Sequence, residues 1–399
     1  MIYLFLPFYT ILLLFNAYKL GIGPTEAKLV FSNPFYNFLY LLNQKEYFVR
    51  LPNVLVTVAN VYLYYKLSKK FLKRESDALL SAIIFAFLPA TIGAGVIISK
   101  APFVLLLTLL MLYLYDNRIA TLLLALFALF LDRSFAILFF AFALYELYRK
   151  SWYSIYFFGL FLSSIMLFGF DVGGKPKSYF LDTFAIFSAI FSPLLFLYFF
   201  YTLYRILIKE RKSIVWFVSA TSFFFSLFLS FRQRIDLLDF APFAVVGVVL
   251  MVQVFMNSLR VRIRRYKKRL LIYFSVVIGT LILNDAILVF NDTLLQVLPF
   301  KKHFAYRFYE GKLLAQALKQ EDIMCVDAQG SLQKQLHFYK IDHCKNYRLS
   351  TLAQKGAKRI EIKYQSKPLV TYYVSKSDTS FKDVTKLHNE GFLDYGKKF

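Results

Sequence analysis

Long apolar stretches separated by short basic runs fill the first 290 residues of this 399-residue chain. A helix that crosses a bilayer needs about 20 apolar residues, within a range of about 17–25. Eleven stretches meet or approach that length: 2–18, 51–68, 78–98, 102–115, 119–131, 134–148, 152–170, 184–204, 213–231, 240–256 and 270–290. The fourth to sixth are short, so they borrow flanking residues or include a re-entrant pair. The first lacks the basic start and small-residue cleavage site of a secretory signal, and reads as an uncleaved span. Lys19–Arg50 forms a long loop whose aromatic segment Pro34–Leu42 is too short to span. Helices lying along the membrane interface are expected there, broken at Pro24 and Pro34.

From Asn291 the pattern shortens and no membrane-length run recurs. Residues 304–320 and Ser331–Tyr339 repeat with a helical period. Asp322–Asp327, Cys344–Leu349, Arg359–Tyr364 and Leu369–Val374 read as strands. The expected architecture is an all-α polytopic membrane domain, 1–290, followed by a small α/β extracytoplasmic domain, 291–399.

Composition agrees. Hydrophobic residues make up 58% of the chain and aromatics 20%, with a formal net charge of +24 and a mean hydropathy of +0.53. A soluble chain is about 45–50% apolar. A soluble enzyme, a nucleic-acid-binding module and a disordered chain are therefore excluded. One set of loops before residue 291 holds 19 Lys and Arg, the other 10. By the positive-inside rule the N-terminus is inside, and an odd number of spans puts the tail outside. The run Arg260–Arg269 sets topology and meets anionic lipid. The four His residues all lie beyond residue 302 without HxxxH spacing, and no CxxC occurs, so no His- or Cys-based metal site is expected. Cys325 and Cys344 can bridge if the tail faces an oxidising compartment.

Charge within the apolar stretches is sparse. Asp285 is expected to hydrogen-bond a neighbouring helix. No matched Gly/Pro breaks stand out in the two halves, which argues against a secondary transporter. The outer loops carry Glu26, Arg50, Lys100, Asp132, Arg133, Arg232, Arg234, Asp236 and Asp239, mostly near helix ends. Converging cations suit a phosphate or pyrophosphate group, and a carboxylate among them can take a proton from a hydroxyl. The plainer readings are a solvated loop carboxylate at Glu26, interfacial cations at Arg50 and Lys100, and an Asp132–Arg133 ion pair.

Several segments resemble the GT-C superfamily of membrane glycosyltransferases, of the protein mannosyltransferase and lipid A aminoarabinose transferase type. Gly23-Pro24-Thr25-Glu26-Ala27 resembles the acidic signature of their first outer loop. Asn33-Pro34-Phe35-Tyr36 resembles the proline element that follows. Phe48-Val49-Arg50-Leu51-Pro52-Asn53, Leu131-Asp132-Arg133-Ser134, Arg234–Pro242 and Gln335-Leu336-His337-Phe338-Tyr339 are similar to later elements, in the same order. The resemblance implies sugar transfer from a polyprenyl-phosphate carrier to a lipid, glycan or protein hydroxyl, on the outer face of a bacterial inner membrane. By position it makes Glu26 the general base. It makes Arg50, Lys100, Arg133, Arg232 and Arg234, with Asp236, the groups that meet phosphate or sugar. Thr25 replaces the family's first acid, and Ile98–Pro102 lacks its second, which disfavours a divalent metal. The alternatives are a lipid-linked glycan polymerase or ligase, or a non-catalytic transporter or partner-binding protein.

Overall fold

The computed structural model describes residues 1–169, 178–293, 303–352, 357–364 and 367–376. Lys175 and Lys177, the last residue of the stretch 152–170, and the tail beyond residue 376 lie outside the described residues. The described chain is mostly helical, with one small sheet near its C-terminal end.

In chain order the helices are α1 (Ile2–Lys19), α2 (Pro24–Ser32), α3 (Pro34–Leu42), α4 (Glu46–Phe71), α5 (Glu75–Ala86), α6 (Pro89–Val96), α7 (Ala101–Tyr113) and α8 (Arg118–Leu129). There follow α9 (Phe135–Tyr148), α10 (Tyr153–Phe168), α11 (Phe180–Phe191), α12 (Pro193–Lys209), α13 (Ile214–Ser230), α14 (Ala241–Ala244), α15 (Val248–Val261) and α16 (Arg264–Val289). Two more, α17 (Tyr306–Gln320) and α18 (Ser331–Phe338), precede strands β1 (Tyr347–Ser350), β2 (Lys358–Tyr364) and β3 (Lys367–Lys376).

The expected eleven spans are not found. Among the described residues, three stretches are long and apolar enough to cross a membrane: Ile2–Lys19, Ala241–Val261 and Arg264–Val289. The number rises to five if each of two bent pairs counts as one span. α5 and α6 meet at 60°, and α11 and α12 at 104°. Proline explains both breaks. Pro89 and Pro193 open α6 and α12, and a proline there cannot donate to the preceding turn and pushes the residue before it out of the helical region. α7, α8, α9, α10 and α13 are apolar but shorter. At 1.5 Å per residue the 13 residues of α7 reach about 20 Å, against about 30 Å of hydrocarbon.

The chain divides into two compact units. Met1–Lys19 and Lys45–Asn291 form the first. Leu20–Gln44 joins Asp292–Phe399 in the second, whereas the sequence reading left that segment with the membrane domain.

In the first unit an aromatic hub fills the space between α11, α12 and α13. Phe223 lies 5.2 Å from Phe187, 5.7 Å from Phe196 and 5.8 Å from Phe199, ring centre to ring centre. The two long terminal spans differ. The window of Ala241–Val261 is 72% buried and that of Arg264–Val289 only 17%.

In the second unit the sheet is antiparallel with order β1-β3-β2. The strand expected at Asp322–Asp327 forms only isolated parallel bridges, Cys325 to Asp342 and Asp327 to Arg348. Leu314, Leu318, Val326, Leu336, Ile341, Ile360 and Ile362 build the core. Cys325 and Cys344 are joined in a disulfide. The start of α2 is docked tightly in this unit. The Tyr339 hydroxyl accepts from the Ile22 N–H at 2.9 Å, and Gln335 Nε2 donates to the Ile22 carbonyl. A Cβ on Gly21 would stand 2.3 Å from the Phe308 carbonyl oxygen, and one on Gly23 2.6 Å from the Phe308 ring. Only glycine fits at either position.

Candidate functional site

α4 holds the segment that carries Lys100. Asn53 Nδ2 donates to the carbonyls of Ile97 and Ser99, both at 3.1 Å. Asn60 Nδ2 donates to the Pro102 carbonyl at 2.8 Å. Lys100 thus caps α7, whose first turn holds Pro102. The N-terminal end of α9 approaches it. There Asp132 accepts from the Ser134 amide at 2.8 Å and from the Ser134 hydroxyl, which sets a carboxylate at the positive end of the helix dipole. The third contributor is Asp239, on the turn before α14. Ser222 of α13 fixes that turn by donating to the Phe240 carbonyl at 2.7 Å.

These residues interlock. Lys100 Nζ lies 3.0 Å from Asp132 Oδ1 and 2.5 Å from Asp239 Oδ1. Arg133 Nε lies 3.1 Å from Asp239 Oδ2, and the Ser134 hydroxyl contacts Asp239 Oδ1 at 2.9 Å. Burial alone would push the Lys100 ammonium down, but Asp239 and Asp132 outweigh it and hold it above the usual lysine range. Burial would push Asp132 up, but the Ser134 hydroxyl and amide, with Lys100, hold it below the usual carboxylate range. Both groups are charged at neutral pH.

A cavity of about 260 Å³ opens beside this cluster. One face of α10 forms a wall, through Phe161, Ser164, Ile165 and Phe168, the spacing that aligns side chains on a helix. Gly169 then ends α10 with a φ of +73°. Phe225 and Leu229 of α13 and Phe240 add apolar surface. Arg133, Ser134, Gln233, Arg234, Asp236 and Asp239 supply the polar part. Formally, two cations face two carboxylates. The Asp236 side chain accepts from the Leu238 amide at 3.1 Å and pairs with no cation among the described residues. Ser164 Oγ and Gln233 Oε1 are buried without a hydrogen-bond partner among the described residues.

The sequence-derived candidates meet different fates. Arg133, Arg234 and Asp236 line the cavity, and Lys100 braces its rim through Asp239. Arg232 is exposed and outside the lining. Arg50 is completely buried and donates from Nη1 to the Ala17 carbonyl at 3.0 Å, one of the carbonyls left open at the end of α1. Glu26 belongs to the second unit. It is completely buried and accepts from the Gly23 amide at 2.7 Å, at the start of α2. With Pro24 at the first helical position, the segment that resembles an acidic signature is also a well-formed helix start. Burial, with the Glu26 carboxylate beside it, pushes the Tyr36 hydroxyl up to about 12. Asp285, expected to bond a neighbouring helix, is buried with neither oxygen partnered among the described residues.

Ser134, Ser164 and Gln233 also line the cavity and were not among the sequence-derived choices, whereas Asp239 was named among the outer-loop charges. Asp239 had a signal in its place between Arg234 and Pro242. A serine inside an apolar helix such as α10 gives almost none. Asp132 and Asp239 commit their oxygens to Lys100, Arg133 and Ser134, and among the described residues no three His, Cys, Asp or Glu side chains gather. No protein-family model, curated protein or solved structure matches the chain.

Proposed function

We propose that this chain is a membrane glycosyltransferase that binds a polyprenyl-phosphate sugar at the Arg133–Arg234 cavity. The observation that carries this reading is the cavity itself: two arginines and Asp236, which pairs with no cation among the described residues, share a wall with four phenylalanines. An isoprenoid phosphate needs both kinds of surface. In this reading the shorter apolar helices complete a GT-C-like bundle, and the cavity faces the extracytoplasmic side of a bacterial inner membrane.

Asp236 takes the proton of an acceptor hydroxyl on a lipid, glycan or protein. The acceptor oxygen attacks the anomeric carbon as the bond from that carbon to the phosphate oxygen breaks. The leaving phosphate is held by Arg133 and Arg234, and the configuration inverts. Asp236 is preferred over Glu26 as base because Asp236 is exposed on the cavity wall, while Glu26 is buried and committed to a helix start.

The test is thermal stabilisation of the purified chain by polyprenyl phosphate, with polyprenol as control. A ligand that binds only the folded state raises apparent stability by mass action. Stabilisation by the phosphate alone, lost in Arg234→Ala, is expected. Equal effects of phosphate and alcohol would refute the reading. Transfer to an acceptor should then fail in Asp236→Asn and persist in Glu26→Gln; the reverse would return the base to Glu26.

A second reading, transport, draws on the two proline-broken helix pairs, since α6 packs against α11 and broken helices often flank transport sites. Solute uptake into proteoliposomes without glycosyl product would support it.

A further inference from the structure

The C-terminal ends of α7 and α9, remote from the cavity, hold a second group of charges that sugar transfer does not use. The positive-inside rule assigns this end to the inner leaflet. Arg118 and Glu146 form an ion pair there. Arg149 donates to the Tyr115 hydroxyl at 3.3 Å, and its guanidinium lies 5.9 Å from the Tyr145 ring. Tyr148, its neighbour in the chain, lies beneath Lys212. Lys212 Nζ stands 5.5 Å from the Tyr148 ring centre and 5.9 Å from that of Trp216. Trp216 is fixed in turn, donating from Nε1 to the Leu203 carbonyl at 3.1 Å.

Charge is unbalanced at this place. Other basic residues of the same set of loops meet carboxylates: Lys69 meets Glu75, Lys70 meets Asp116 at 2.7 Å, and Arg260 meets Asp77. Arg149 and Lys212 form no ion pair among the described residues, and Lys212 donates no hydrogen bond to any of them. A cation over a ring face is held by the ring's quadrupole and keeps its N–H groups for another acceptor. Lys212 also stands just before α13, whose first turn holds no acidic residue. A cation there faces the positive end of the helix dipole, which favours anions. The missing partner is therefore an anion that brings hydrogen-bond acceptors.

The surroundings say where that anion comes from. Trp152 is 83% exposed and Tyr148 51%, as in an aromatic belt at a bilayer surface. A zwitterionic headgroup would bring an ammonium with no carboxylate to meet, because Glu146 is completely buried. We propose that Arg149 and Lys212 bind the phosphate of an acidic phospholipid in the inner leaflet. The site does not depend on the carrier reading.

The chain has two tryptophans, and both Trp152 and Trp216 lie at this end, so their fluorescence is a local readout. The full chain is reconstituted in phosphatidylcholine vesicles, and quenching by brominated phosphatidylglycerol is compared with quenching by brominated phosphatidylcholine. The acidic lipid should bind about fivefold more tightly, the gain from two half-exposed ion pairs. Arg149→Gln with Lys212→Gln should bring the ratio to one. Arg265→Gln with Lys268→Gln, on the exposed start of α16, should leave it unchanged. A ratio near one in the unaltered protein, or one that survives in the first double variant, would overturn the site. Equal loss in both double variants would also overturn it, as diffuse attraction to the basic loops. Inorganic phosphate at millimolar concentration should not relieve the quenching; relief would assign the site to a soluble phosphate instead of a lipid. If the first double variant fails to fold, the unaltered protein still decides, because its ratio should fall towards one in molar salt. A ratio unmoved by salt would refute an ionic site.

Discussion

α7 and α9 each carry an ionic cluster at both ends, and the two ends are built differently. At their N-terminal ends Lys100, Asp132, Arg133, Ser134 and Asp239 interlock beside a cavity, and the side chains of Lys100 and Arg133 remain 34% and 42% exposed. Near their C-terminal ends Glu146 is completely buried. It bonds the Tyr115 hydroxyl and Arg118, while Arg118 and Arg149 also donate to that hydroxyl, at 3.0 and 3.3 Å. None of these four residues lines the cavity. The two clusters have similar chemistry, and the Arg118 side chain is still 31% exposed, but only the first cluster borders the cavity. A charge that ties two helices together behaves as structure. A charge on a cavity wall is available for chemistry.

The largest expected effect tests the closed cluster. Glu146→Ala would strand Arg118 beside a buried tyrosine. Glu146 is fully buried but the Arg118 side chain is 31% exposed, so the loss should fall below the cost of about 3–5 kcal/mol for a fully buried pair and above the cost of about 1 kcal/mol for a surface pair, as read by thermal unfolding in detergent. A loss no larger than that of a surface mutant would erase the distinction between the two ends.

Asp285 sharpens the comparison as a third case, a buried carboxylate with no partner for either oxygen among the described residues. Asp285→Leu should raise stability, since an unsatisfied buried polar group costs about 1–3 kcal/mol. Destabilisation by Asp285→Leu, with carrier binding intact, would show that the aspartate is satisfied in the membrane.

The smallest effect belongs to the open cluster. Lys100→Met should cost about 1 kcal/mol, because the pair is partly solvated. Its pH dependence is more telling than its size. Asp132 is lowered on folding, so its contribution is present above its unfolded value near 4 and is lost as pH falls through the folded value. Lys100 is raised, so its contribution is present below its unfolded value near 10.4 and is lost as pH rises through the folded value. The stability difference between the unaltered protein and Lys100→Met should therefore stay flat from about pH 5 to 9 and shrink on either side. A difference that drifts across that range would mean that another group titrates within the cluster.

How much of this was legible in the sequence depends on how local each determinant is. The start of α2 could be read from Gly23, Pro24 and Glu26, because a helix cap needs only neighbouring residues. Arg133, Arg234 and Asp236 could be picked out as charges near helix ends. The unsatisfied state of Ser164 and Gln233 could not, since it depends on which groups fail to reach them from α9 and α13. The span count failed mainly at α7 to α10 and α13, which end short of membrane length, and at Pro89 and Pro193, where an apolar run concealed a bend. Asp322–Asp327 alternates like a strand, yet it finds one bridging partner at a time. β3 is already paired on both edges, by β1 and β2.

The close approach at Gly21 and Gly23 bears on how this protein can change over evolutionary time. At Gly23 the obstruction is the ring of Phe308, so a smaller side chain at 308 makes room for a larger one at 23. At Gly21 the obstruction is the carbonyl oxygen of Phe308, which no substitution at 308 removes. The two glycines, one residue apart, therefore obey different rules of inheritance. Position 23 is expected to drift in step with 308 among related sequences, while position 21 stays fixed until the backbone itself is rebuilt.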